Sequence, residues 1–160
     1  MISKTQIRLA LIIAAAFIVD YLPLVNLPFL WSETFFHEIS HGLVALVTGG
    51  MIHKITLHFS GAGLCTTSGG VRFLVLFSGY AGSAIWGLCL YNIAGALSPT
   101  KAKFMLGTMV LMLTMTLLLW ARDLSTIVIL MVLLAMYLLP LYTSLWISVK
   151  VFIQMVGMFV

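Results

Sequence analysis

The sequence predicts an all-α polytopic membrane protein with about five or six transmembrane helices and a short membrane-associated β-hairpin. Three observations carry that expectation. The 160 residues are 62% hydrophobic and 8% charged, with a mean hydropathy of +1.19. A water-facing domain carries about a quarter charged residues, so lipid is the solvent this chain is built for. The apolar residues fall in runs of roughly 17–25, the length that crosses a bilayer as helix. One interval, residues 51–70, breaks the pattern with Gly, Ser and Thr and has the look of paired strands.

Taken in order, the first span covers about Ile7 to Val25. It follows Lys4 and Arg8 but has no small-x-small cleavage site before Pro23, so it is read as a span rather than a signal peptide. Pro23 and Pro28 are expected to bracket a short turn. A second apolar stretch runs from about Phe29 to Thr48, and Gly49-Gly50 closes it as a helix C-terminus. In the hairpin, Ile52, Lys54, Thr56 and His58 alternate with their neighbours, Ser60 to Gly63 form the turn, and Leu64 to Thr67 return. Strands cannot leave backbone groups facing lipid, so the hairpin belongs at the interface or against protein. A third span covers about Phe73 to Leu97, with Gly79, Ser83 and Gly87 spaced for close helix approach. The fourth runs from about Phe104 to Trp120 and the fifth from about Leu124 to Leu139, where Pro140 ends or kinks it. Leu141 to Val160 is a sixth span or an interfacial helix. All 160 residues read as a single transmembrane domain.

The net charge of +4 points to topology and lipid head groups, not to nucleic acid. With a cytoplasmic N-terminus, Lys4, Arg8, Lys54, Arg72 and Arg122 fall inside, and Lys101 and Lys103 outside. This count puts the hairpin and the Arg122-Asp123 junction on one side. Cys65 and Cys89 give no disulfide framework.

The chemistry concentrates in His37-Glu38-Ile39-Ser40-His41, inside the second apolar stretch. Residues i and i+4 share a helix face, so His37 and His41 can grip one metal ion. Glu38 beside them can take a proton from a coordinated water, whose pKa zinc lowers to about 7. This is the HExxH arrangement of zinc proteases. Ionisable residues within a span are costly and usually functional. Three within five residues need a compensating partner, and a zinc ion is the natural one. The bland alternative is a polar helix face hydrogen-bonded to its neighbours.

Zinc needs a third protein ligand. The extended HExxHxxGxxH pattern is excluded, because Val44 and Val47 stand at its Gly and His positions. No glutamate follows Glu38, which leaves Asp123 as the single downstream carboxylate and the leading candidate. Its bland reading is a head-group-level charge beside Arg122. Glu33, one turn before His37, can instead hydrogen-bond that imidazole, but it reads more readily as a solvated residue near the entrance of the span. Asp20, His53 and His58 read as interfacial residues.

The stretch Phe36-His37-Glu38-Ile39-Ser40-His41-Gly42 with Thr48-Gly49-Gly50 resembles the site-2 protease family of intramembrane zinc metalloproteases, and within it a small bacterial branch. Thr67-Ser68-Gly69-Gly70 and Gly79-Tyr80-Ala81-Gly82 through Gly87 extend the likeness over roughly residues 30–130. The resemblance implies zinc on His37 and His41, Glu38 as catalytic base, and a hairpin that presents an edge for an extended substrate strand. It also implies transmembrane protein substrates cut in or near a bacterial cell membrane. Better-known members take the third ligand from an Asp-Gly motif. No Asp-Gly occurs here, and Asp123 sits in Arg122-Asp123-Leu124-Ser125. Two other functions compete: a metal-binding scaffold without proteolysis, and a small ion transporter. The second needs a continuous polar line, yet the fourth span offers Thr108, Thr114 and Thr116 alone.

Overall fold

A computed structural model describes residues 4–142 and 146–160. Six helices and one hairpin follow in the order α1 (Lys4–Asp20), α2 (Pro23–Val47), β1 (Met51–Leu57), β2 (Gly63–Ser68), α3 (Arg72–Ala96), α4 (Pro99–Leu119), α5 (Leu124–Tyr142) and α6 (Trp146–Phe159). Residues 143–145, within the last apolar stretch, lie outside the described residues.

Among the described residues, three helices are long and apolar enough to cross a membrane: Arg72–Ala96, Thr100–Leu119 and Leu124–Tyr142. A fourth span arises if α1 and α2, bent by 107° to one another, are counted together. Of the expected five or six spans, three or four are borne out by length and composition among the described residues. Three helices, α1, α2 and α6, are not among those that qualify singly, and α1 has 17 residues. Helix α6 has 14 residues, about 21 Å of rise against a hydrocarbon core of about 30 Å. Helix α2 carries Ser32, Glu33, Thr34, His37, Glu38, Ser40 and His41, which dilute its apolar character.

The prolines punctuate less than expected. Pro23 opens α2 at its first turn, where its missing N–H costs nothing, and Pro28 lies inside the helix. The Pro28 carbonyl takes the Ser32 hydroxyl at 2.8 Å. Pro140 lies inside α5, which continues to Tyr142. In a membrane helix, neighbouring groups can satisfy the carbonyl that a proline orphans.

The hairpin forms where expected. β1 and β2 pair antiparallel, with Ile55 opposite Cys65 and Leu57 opposite Gly63. The register shifts between Ile52 and Lys54, so His53 is an extra residue in β1. This bulge changes the phase of alternation. Ile52, Ile55 and Leu57 all become buried, and Lys54 is exposed.

Helix α3 packs between α2 and α6. The small residues expected to allow close approach do so: a Cβ on Gly87 would lie 2.7 Å from the Gly157 carbonyl of α6. The junction between α4 and α5 docks on the outer edge of β1. Ile55 N–H donates to the Trp120 carbonyl at 3.1 Å, and Leu57 N–H donates to Thr126 Oγ1 at 2.7 Å. The hairpin and the Arg122-Asp123 junction are thus direct neighbours.

Candidate active site on α2, α3 and β2

Helical periodicity brings His37 and His41 together. Their Nε2 atoms lie 3.2 Å apart. The second ring is held by α3, since His41 Nδ1 stands 2.6 Å from the Val75 carbonyl. A carbonyl only accepts, so Nδ1 carries the proton and Nε2 turns its lone pair toward His37. Ser78 donates to the same carbonyl at 2.7 Å.

Gly79 makes room for this pair. A Cβ there would sit 2.5 Å from His41 Nε2 and 2.6 Å from His37 Cε1, so any side chain would push the imidazoles aside. The next residue, Tyr80, places its ring edge-on to His37 with centroids 4.8 Å apart. That ring is 83% exposed and stands at the open side of the pair.

Glu38 points from the same helix toward the hairpin. Its carboxylate accepts the Cys65 backbone N–H. Gly63 permits the approach: a Cβ at that position would lie 2.7 Å from Glu38 Cγ. Thr34 closes the end of the same seam by donating to the Gly61 carbonyl at 2.6 Å. Strand pairing explains why Cys65 is available. Ile55 and Leu57 direct their N–H groups away from β2, so their partners Cys65 and Gly63 direct theirs away from β1. The outer edge of β2 therefore faces the motif helix.

Asp123 is not placed with the histidines. It precedes α5 and caps it, accepting the Thr126 N–H at 3.0 Å and the Ser125 hydroxyl at 2.6 Å. Partial desolvation pushes its carboxyl up. The Ser125 and Thr126 hydrogen bonds, with His58 nearby, outweigh that and hold it below the usual carboxylate range. Among the described residues, no group of three or more His, Cys, Asp or Glu is arranged to hold a metal ion.

The remaining candidates lie elsewhere. Glu33 is exposed on α2, in keeping with a solvated residue near the entrance of the span, and the His37 ring meets Tyr80. Asp20 accepts the Asn26 side-chain amide at 2.9 Å. His53 Nε2 lies 2.7 Å from Ser68 Oγ, and His58 is exposed after β1. Sequence reasoning missed the Val75 carbonyl, the Cys65 N–H and Tyr80. The first two are backbone groups, which carry no residue-type signal. Gly79 was legible as a packing residue but not as the floor of the site.

A family model described as Peptidase M50B-like matches residues 9–160, and the chain belongs to that family. No curated protein and no solved structure matches it.

Proposed function

We propose that this member of the Peptidase M50B-like family is an intramembrane zinc metallopeptidase that hydrolyses peptide bonds of membrane-embedded protein substrates. The observation that carries the reading is the His37–His41 pair with Glu38 beside it. Two nitrogens held tetrahedrally at 2.0–2.1 Å from zinc lie about 3.3–3.4 Å apart, and the pair stands at 3.2 Å. The Val75 carbonyl fixes the tautomer that leaves His41 Nε2 free to coordinate.

Bound zinc would polarise the scissile carbonyl and acidify the attacking water. Glu38 takes the proton as the water oxygen bonds to the carbonyl carbon. It then delivers that proton to the amine as the C–N bond breaks. The outer edge of β2 receives the substrate as an extended strand, which unwinds a helical peptide bond and exposes it beside Glu38. Pairing there requires Glu38 to release the Cys65 N–H, which frees the carboxylate at the moment substrate arrives.

For the third ligand we keep Asp123, which must leave its cap on α5 to serve. That cap supports a second reading, a non-proteolytic metal-binding relative with an incomplete site. We place the N-terminus and the hairpin on the cytoplasmic side of a cell membrane. Purified protein in vesicles with a transmembrane reporter substrate tests the main reading. Glu38→Gln should keep zinc and abolish cleavage, and cleavage at the unmutated rate would refute it. Bound zinc with no cleavage by the unmutated protein would favour the second reading.

A further inference from the structure

Between the end of β2 and the first turns of α3 lies a cavity of about 440 Å³, lined by Thr67, Gly69, Gly70, Arg72, Val75 and Leu76. Two features tie it to the histidine pair. Val75 lines the cavity and also holds His41 through its carbonyl. Thr67 follows Gly63 and Cys65 at alternate positions, so its backbone polar groups lie on the same outer edge of β2 that reaches Glu38. A strand laid along that edge passes Glu38 and enters the cavity about 7 Å further on.

The opposite wall is a face of α3. Arg72, Leu76 and Tyr80 recur at four-residue spacing. The last packs on His37. Eight residues of helix separate Arg72 from Tyr80, about 12 Å of rise. An extended peptide covers that distance in three to four residues. Arg72 brings the one formal charge to the cavity lining. Among the described residues no hydrogen bond or ion pair engages its guanidinium. Arg122 differs: its guanidinium donates to the Leu119 and Ala121 carbonyls.

We propose that this cavity is a substrate subsite in which Arg72 binds a carboxylate, an Asp or Glu side chain or a free C-terminus, three to four residues from the cleaved bond. A guanidinium offers a planar pair of donors matched to a carboxylate. Glycines at 69 and 70 leave room beside it. The competing occupant is the phosphate of an anionic lipid head group. The strand edge on the cavity wall favours peptide, because it offers backbone partners at the spacing of an extended chain.

The proposal rests on the peptidase reading for the term "cleaved bond", but its test separates the two. Peptides with a single Asp or Lys moved stepwise along the chain are titrated onto the Glu38→Gln protein in phosphatidylcholine vesicles, and their cleavage by the unmutated protein is measured. Asp at the third or fourth position should tighten binding and lower KM by about 10-fold, roughly 1.4 kcal/mol. Arg72→Glu should transfer the preference to Lys at the same positions, and Arg72→Lys should keep it for Asp in weakened form. Zinc content should stay unchanged in both variants. A preference independent of position, or one that Arg72→Glu leaves intact, overturns the subsite. So does an Arg72→Glu effect confined to the response to added phosphatidylglycerol, which would assign Arg72 to lipid. Cleavage by Glu38→Gln at the unmutated rate refutes the peptidase reading alone, since charge-dependent peptide binding is read without it.

Discussion

The two outer edges of the hairpin have opposite fates. The edge of β1 is consumed by structure: Ile55 N–H is bonded to Trp120, Leu57 N–H to Thr126, and the Leu57 carbonyl accepts from Ser125 at 2.9 Å. The edge of β2 faces the motif helix, with the Glu38 carboxylate on the Cys65 N–H and a cavity at Thr67. An edge strand is a template for pairing and is either covered or used. Here a helix junction covers one edge, and Glu38 of the histidine motif reaches the other. The carboxylates divide the same way. Glu38 serves the open edge, and Asp123 stiffens the junction that seals the closed one.

Substitutions on the open side should carry the largest effects. Gly79→Ala drives a Cβ into both imidazoles, so metal affinity and cleavage should fall together by about 100-fold, at the upper end for disturbed ligand orientation. Metal analysis of the purified protein checks this, and full zinc occupancy would contradict it. Gly63→Val presses on Glu38 rather than on the histidines. Cleavage should drop about 100-fold while zinc stays bound, since small misplacements of a reacting group cost that much.

On the closed side the expected effects are on stability. Thr126→Val leaves the buried Leu57 N–H without its acceptor, at a cost of about 1–3 kcal/mol. Denaturation in detergent should show that loss, with zinc binding kept. Asp123→Ala removes the α5 cap and should cost about 0.5–2 kcal/mol, whereas Asp123→Asn should stay near neutral because Asn caps almost as well. The same Asn variant decides the third ligand: lost zinc makes Asp123 a ligand, and retained zinc leaves it a cap. The smallest effect is on pH. Because the folded Asp123 carboxyl titrates below its unfolded value, its contribution is present above the unfolded pKa, near 4. It disappears as pH falls through the folded one. Any stability gap between the unmutated protein and the Asp123→Asn variant should therefore close in acid.

Much of the fold was readable because lipid imposes strong rules. The helices at 72–96, 99–119 and 124–142 follow from apolar run length, and the hairpin at 51–68 from its break in that pattern. The errors came from local punctuation. Pro28 suggested a turn but lies within α2, whereas Pro140, expected to end or kink its helix, lies inside α5 two residues before Tyr142. Loose alternation in β1 missed the bulge at His53, which sets Ile52, Ile55 and Leu57 in buried positions and leaves Lys54 exposed. Of the five or six expected spans, three or four stand out among the described residues, because apolar composition does not reveal a 107° bend or a 14-residue helix.

The sequence by itself determined the membrane character and the pairing of His37 with His41 one turn apart, which depend on composition and on spacing along one helix. It also carried the family, through a resemblance of motifs spread over roughly residues 30–130. Only the tertiary structure decided what surrounds that pair: a carbonyl of α3 behind His41, a strand edge against Glu38, and Asp123 turned to cap α5. The docking contacts that set these surroundings join residues 27 to 69 positions apart along the chain, and the cap is a choice between competing hydrogen-bond partners. Spacing along one helix cannot specify them, because they depend on how separate elements are docked.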